Sequence, residues 1–299
     1  MKRIITKEHV KIFKGKYFLP WFKKEEVIKN PKKIVIFDLD ETLGSFADLY
    51  ILWCGIKHAI PSFSAFYDIC DLYPEFLRYG ILTILEYLYD KKMKKECYKI
   101  YIYTNNQCSV DWVNLISKYL ETKIKSCPTC VLFDQLICAY KINNRRVETS
   151  RTGHSKKIDD FIRCSSLFSE NADICFVDDV EYPEMKSTKV YYICPRPYIH
   201  TLSTNIIIRR FVQAHIVPVG ILSNESFWRD WFRLHNRRVT RLVKSDIELD
   251  LQVSQKMIFH LREFMMFGVV KKERGIKRTS KNLKRKGTRE TKRAKSSKN

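Results

Sequence analysis

Along the first two hundred residues, short runs of β-branched and aromatic residues alternate with stretches of helical periodicity. Residues 34–38 (Ile-Val-Ile-Phe-Asp) form an apolar run that stops at a carboxylate, the pattern of a buried parallel strand. Residues 99–104 (Lys-Ile-Tyr-Ile-Tyr-Thr) predict a second strand, followed by two asparagines. Residues 174–179 (Ile-Cys-Phe-Val-Asp-Asp) predict another strand, and residues 190–194 a last one, halted by Pro195 and Pro197. Residues 131–138 are a further strand candidate. Between these runs, helical spacing covers residues 75–93 (Leu77, Ile81, Leu82, Ile84, Leu85, Leu88) and 109–120. A short helix is predicted over 155–162, with Ser155 as its N-cap. Strands alternating with helices define an α/β fold, a Rossmann-like three-layer sandwich around a parallel sheet.

The polar residues fall at one place in this pattern. Asp38 and Asp40, Thr104, and Asp178 with Asp179 all lie at or just beyond the carboxyl ends of predicted strands. In an open α/β sheet those ends share one edge, where ligands bind, so three distant segments are brought together. Two aspartates spaced i, i+2 can divide the work of nucleophile and proton carrier. Several carboxylates in one pocket call for a hard cation, and Mg²⁺ with one or two carboxylates and a substrate phosphate fits. Thr104 supplies a hydroxyl for a phosphoryl oxygen. Lys156 or Lys157 supplies a cation against transition-state charge. The reaction class that uses all these parts is phosphoryl transfer through an aspartyl-phosphate. The bland alternative is a set of solvated turns, which three ordered motifs on strand ends make the weaker reading.

The segment Asp38-Leu-Asp40-Glu-Thr42 after its strand resembles motif I of the haloacid-dehalogenase-type (HAD) phosphatases in its DxDxT form. Residues 101–105 resemble motif II and residues 174–179 motif IV, so the resemblance spans residues 33–198. The wording is similar to the branch containing phosphatases of the RNA polymerase II C-terminal domain. The resemblance implies Asp38 as nucleophile and metal ligand, and Asp40 as general acid/base whose backbone carbonyl also reaches the metal. It implies Thr104 as phosphate binder, Lys156 as the motif III lysine, and Asp178 or Asp179, the second preferred, as completing a Mg²⁺ shell. The chain departs from that branch in Leu43-Gly44-Ser45-Phe46 after motif I and in residues 45–72, an aromatic-rich helical insertion placed to overlie the site. The function expected is Mg²⁺-dependent hydrolysis of a phosphomonoester, with a phosphorylated protein (phosphoserine or phosphothreonine) as substrate. The alternatives are a nucleic-acid 3′-phosphate end, or a non-catalytic HAD-fold scaffold.

Composition changes this picture in one respect. The chain has 299 residues, 55 Lys and Arg against 33 Asp and Glu, and a formal charge of +22. Residues 271–299 contribute +12 and residues 1–33 contribute +8, so the middle is nearly neutral. The domain division that follows is a basic leading segment (1–32), the phosphatase-like domain (33–198), a helical region (199–270) and a basic low-complexity tail (271–299). The basic ends suit nucleic-acid tethering or a nuclear address. No long apolar run predicts a membrane span, and no signal-peptide pattern opens the chain, so an intracellular protein, nuclear or cytoplasmic, is expected. The ten cysteines are scattered and most read as buried apolar residues; Cys127 and Cys130 have no second CxxC or HxxxH in the sequence, which leaves Cys108, Cys138 or His154 as the residues that could complete a zinc site in space, the weaker reading. In residues 225–270, Phe227, Trp231, Leu234 and Leu242 mark an apolar face, with Arg229, Arg233, Arg237, Arg238 and Arg241 on others. The preferred reading packs that stripe on the core and leaves the arginines solvated.

Overall fold

In the computed structural model the apolar runs become strands in the expected order, and the residues it describes are 9–14, 31–124, 131–167, 171–217, 220–235 and 246–267. The chain opens with β1 (Val10–Lys14) and β2 (Lys32–Phe37), followed by α1 (Ala47–Ala59), α2 (Phe66–Asp71) and α3 (Ile81–Met93). Then come β3 (Lys99–Tyr103), α4 (Val110–Thr122), β4 (Gln135–Ile137), and a small hairpin of β5 (Lys141–Ile142) and β6 (Arg145–Arg146). After α5 (Ile158–Ser165) lie β7 (Ala172–Val177) and β8 (Val190–Pro195), and then α6 (Thr204–Gln213), α7 (Glu225–His235) and α8 (Ile247–Phe267).

Six strands form one sheet in the order β1-β8-β7-β2-β3-β4. All neighbours are parallel except the β1–β8 edge pair. From central β2 the chain winds outward one way through β3 and β4, and then the other way through β7 and β8. This reversal creates a switch point between β2 and β7, at whose carboxyl ends a crevice opens. The protein is therefore an α/β sandwich with a mostly parallel sheet.

Alternation along the strands divides the core between two faces. Val35, Phe37, Ile100, Ile102, Cys175, Val177, Tyr191 and Ile193 face one side, together with buried residues of α1–α4 and α6–α8. Ile34, Ile36, Tyr101, Tyr103, Ile174, Phe176 and Tyr192 face the other, where Phe161 of α5 is the buried helical residue. The C-terminal helices belong to the first of these cores. Val253, Met257, Leu261 and Phe264 of α8 are fully buried in it, and the Lys33 side chain donates to the Met265 carbonyl.

Several local expectations are corrected. The predicted helix over 75–93 breaks: Pro74–Phe76 is one 3-10 turn, and α3 starts only after Gly80, whose φ of 79° is the left-handed value that ends the turn and aims the chain into α3. The strand predicted over 131–138 pairs only at Gln135–Ile137, at the sheet's edge. Ser155 is not an N-cap. The helix begins at Ile158, and the preceding Lys157 is extended with no side-chain cap, because this stretch carries Lys156 into the sheet-end crevice. In α7 the buried residues are Trp228 and Phe232, one turn apart, with Phe227 and Trp231 half-buried beside them; Leu234 lies on the far side and is exposed. Arg229 and Arg233 are exposed as expected, whereas Leu242, Arg237, Arg238, Arg241, Cys127, Cys130 and the tail 271–299 lie outside the described residues. Within the basic leading segment 1–32, Val10–Lys14 extends the sheet by pairing with β8. Residues 45–72 carry the two helices α1 and α2, as their helical pattern predicts.

Candidate functional site

The crevice at the switch point collects the polar ends of three strands. Asp38 follows β2, and its amide donates to the Val177 carbonyl at 2.9 Å, so the strand pairing itself fixes its position. Asp178 and Asp179 follow β7. Carboxylate oxygens of Asp38, Asp178 and Asp179 lie within 4.8 Å of one another. Lys156 reaches in from the segment before α5 and donates to Asp38 Oδ1 at 2.5 Å and to Asp178 Oδ2 at 2.6 Å. Lys156 and Asp178 are fully buried and Asp38 nearly so. Lys157 does not join the cluster; its backbone amide faces the Tyr103 hydroxyl.

The electrostatics of this cluster are unbalanced. One ammonium faces three carboxylates. Burial opposes the charge on Lys156, but Asp178 and Asp38 outweigh it and hold its pKa above the usual lysine value. Burial, reinforced by Asp38, pushes Asp178 well above the carboxylate range despite Lys156. Burial and the Asp38 charge raise Asp179 to about 7, opposed by a hydrogen bond from Thr42. Such a set of hard oxygen donors, too crowded for all three to ionise freely, could hold a metal ion.

Thr42 sets the orientation of Asp179. Its hydroxyl donates to Asp179 Oδ1 at 2.8 Å and its oxygen accepts from the Asp179 amide at 3.0 Å. Asp178 Oδ1 accepts from the Val180 amide at 2.9 Å. Asp40 stands apart from the carboxylate cluster, and its Oδ2 accepts from Asn106 Nδ2 at 2.6 Å. Thr104 is buried, and its oxygen accepts from the Asn106 amide at 3.0 Å, which leaves its hydroxyl proton to donate. The predicted residues Asp38, Lys156, Asp178 and Asp179 thus meet directly, while Asp40 and Thr104 are joined to each other through Asn106.

Two buried arginines hold the loops that carry these groups. Arg78 donates to the carbonyls of Thr42 (2.6 Å), Glu41 and Arg196 (2.9 Å), which pins the turn after Asp40, where Glu41 has φ 56°. Burial lowers its pKa to about 10, so it stays charged at neutral pH. Arg151 donates to the carbonyls of Thr104 (3.0 Å), Cys138 (2.8 Å) and His154 (3.1 Å) and to Asn105 Oδ1 (2.6 Å). Asn105 in turn donates to the Tyr182 hydroxyl at 3.0 Å, and Lys156 lies 5.4 Å from the Tyr182 ring centre. Arg78, Arg151, Asn106 and Tyr182 carry no signal of their own in the sequence: the arginines act mostly on backbone carbonyls, and Asn106 and Tyr182 meet the side chains of Asp40, Asn105 and Tyr192. Thr42 is signalled, as the last letter of DxDxT.

A cleft of about 250 Å³ opens beside Asp40, lined by Glu41, Phe46, Ala47, Asn106, Gln107, Cys108 and Trp112. Phe46 and Ala47, at the start of residues 45–72, wall this cleft. Comparison of the chain with protein-family models, with curated proteins and with solved structures finds no match. No helix among the described residues is long and apolar enough to cross a membrane.

Proposed function

We propose that the protein is a phosphomonoester hydrolase of the HAD type, dependent on a divalent cation such as Mg²⁺. The observation that carries this reading is the carboxylate cluster of Asp38, Asp178 and Asp179 around buried Lys156 at the end of the central strand. Asp38, Asp178 and Asp179 would hold the cation, with Asp179 the member whose carboxylate is not paired to Lys156. When bound, the cation neutralises the excess carboxylate charge and draws the phosphoryl group toward Asp38.

The chain's own residues divide the remaining work. Lys156 fixes Asp38 Oδ1 and leaves Oδ2 to attack phosphorus; the bond to the leaving oxygen breaks as the proton on Asp40 passes to it. Asn106 holds Asp40 for this transfer. In the second displacement water attacks the aspartyl-phosphate, its proton passes to Asp40, and the Asp38–phosphorus bond breaks to release inorganic phosphate. The Thr104 hydroxyl and the Lys156 ammonium stabilise the phosphoryl oxygens in both steps. The nucleic-acid-end reading leans on the basic termini, most of which lie outside the described residues. A phosphorylated protein is the substrate class carried forward.

The test is release of inorganic phosphate from a small aryl phosphate with and without Mg²⁺, for the wild type and Asp38→Asn. Mg²⁺-dependent turnover lost in the variant is the expected result. Absence of turnover on any phosphomonoester, or equal turnover by the variant, would overturn the reading.

A further inference from the structure

A second cavity, of about 510 Å³, lies next to the first. It is lined by Ser109, Val110, Ile142, Asn143, Arg145 and Val147. The two join along the chain, since Cys108 lines one and Ser109 the other. One wall is the start of α4; the other is the β5–β6 hairpin. This hairpin turns on Asn143 and Asn144, at φ 48° and 61°, the two left-handed residues of a tight two-residue turn. Its register pairs Ile142 with Arg145 and Lys141 with Arg146.

That register sorts the hairpin's side chains. Directly opposed residues share a face, and neighbouring pairs point to opposite faces. Ile142 and Arg145 therefore face the cavity together. Lys141 and Arg146 face away, where both lie over the Tyr140 ring at 5.4 and 5.2 Å. Arg146 also donates to the Arg151 carbonyl at 2.9 Å, so its charge is engaged in the fold. Arg145 is exposed and makes no ion pair among the described residues. Around it Val110, Ile142 and Val147 give the cavity its aliphatic part, beside Ser109 and Asn143, and Val110 and Val147 remain 45 % and 36 % exposed.

We propose that this groove is a specificity subsite for a phosphorylated protein, reading an aliphatic residue and an acidic residue near the phosphorylated side chain. The inference rests on the hydrolase reading and extends it along the substrate. Arg145 takes the carboxylate, and Val110, Ile142 and Val147 take the aliphatic side chain. A nucleic-acid strand fits less well. It needs a series of cations for successive phosphates, whereas Arg145 is the one cation lining this groove, beside three aliphatic residues, and Asp40 and Glu41 flank the way to it.

The test compares two phosphoserine peptides, assayed with the full chain. One has Leu and Glu within about three residues on each side of the phosphoserine, roughly 10 Å of extended chain. The other has Leu and Lys there. The acidic peptide should show a kcat/KM about tenfold higher, equivalent to one well-placed ion pair, and Arg145→Glu should invert the ratio. Val147→Asp should lower turnover of the Leu-containing acidic peptide relative to a Gly-for-Leu version. A wild-type ratio near one, or a ratio that survives in Arg145→Glu, overturns the proposal. So does a 3′-phosphorylated oligonucleotide that outperforms both peptides and loses turnover in Arg145→Glu, because the groove then belongs to nucleic acid. If even an aryl phosphate is not hydrolysed, it is the hydrolase reading that fails. Fluorescence anisotropy of the acidic phosphopeptide with wild type and Arg145→Glu then decides the groove: weaker binding to the variant supports it and equal binding overturns it.

Discussion

Two kinds of buried charge stand within a few residues of each other, and they are solved in opposite ways. At Lys156 the cation faces carboxylates that outnumber it in a place with little water, so they compete over ionisation. At Arg151 and Arg78 the cation forms no ion pair among the described residues; carbonyl and amide oxygens accept from it. The first arrangement is costly to hold without a further ligand. The second gives each guanidinium fixed oxygen acceptors, with one buried nitrogen of each (Arg78 Nη1, Arg151 Nε) left without a partner among the described residues. Proximity to the crevice does not tell these roles apart; the partner's charge does.

Removing the cation from the first arrangement should have the largest effect. Lys156→Met leaves Asp38 and Asp178 buried without their ammonium, and a buried pair broken this way costs about 3–5 kcal/mol. Phosphatase turnover should fall by about 10²–10³, the typical loss of one electrostatic stabiliser. Urea unfolding and steady-state hydrolysis check the two parts. A folded, fully active Lys156→Met protein would show that Lys156 is a bystander.

Arg151→Met tests the second arrangement. Several carbonyls and the Asn105 amide oxygen lose their donor, and buried acceptors left unsatisfied cost about 1–3 kcal/mol for each group that water cannot reach. Loss of about 3 kcal/mol in urea unfolding is expected, because only part of the set stays dry. Arg151→Lys should recover little, since one ammonium cannot span acceptors on Thr104, Cys138, Asn105 and His154.

The same contrast explains what was legible in the sequence. Asp38, Thr104 and the Asp178–Asp179 pair stood out because each ends an apolar run, and strand ends in a parallel sheet converge by topology alone. Lys156 was separable from Lys157 only once the extended segment before α5 was seen to turn one side chain inward. Arg78 and Arg151 act on carbonyls, which every residue carries, so no spacing announces them. Edge strand β1 was hidden for a different reason. Val10–Lys14 mixes one buried residue with exposed and half-buried ones inside a lysine-rich stretch, as edge strands do. Trp228 and Phe232 were missed in favour of neighbours because α7 is aromatic around more than one face.

A third prediction sharpens the imbalance at the carboxylates. An aspartate raised to about 7 in the folded state, against about 3.9 unfolded, is destabilising when ionised. The penalty is full above pH 7 and vanishes as pH falls below the unfolded value. In metal-free buffer Asp179→Asn should therefore be more stable than wild type at pH 8, by about 2–3 kcal/mol, and the gap should close as pH drops toward 4. Added Mg²⁺ should stabilise the wild type in thermal melts and leave Asp179→Asn with a smaller shift. Parallel melting curves with and without Mg²⁺ for both proteins would remove Asp179 from the cation site.

The smallest effect should come from an arginine that does have a carboxylate, but near solvent. Arg210 of α6 binds Glu75 through two parallel hydrogen bonds of 2.8 and 2.9 Å, with both side chains partly exposed. Burial works against the Glu75 charge, yet the Arg210 hydrogen bonds outweigh it and hold the carboxyl below its usual value. A depressed carboxylate contributes stability above the unfolded pKa and loses it as pH falls through the folded one. Glu75→Gln should cost about 0.5–1 kcal/mol at pH 7, since solvent and salt screen an exposed pair even when it is bidentate. That cost should disappear between about pH 4.3, the unfolded glutamate value, and lower pH, and should shrink in high salt. The direction is opposite to that of Asp179→Asn, where acid closes the gap from the other side. Identical pH dependence in the two variants would mean that partner charge does not separate these sites.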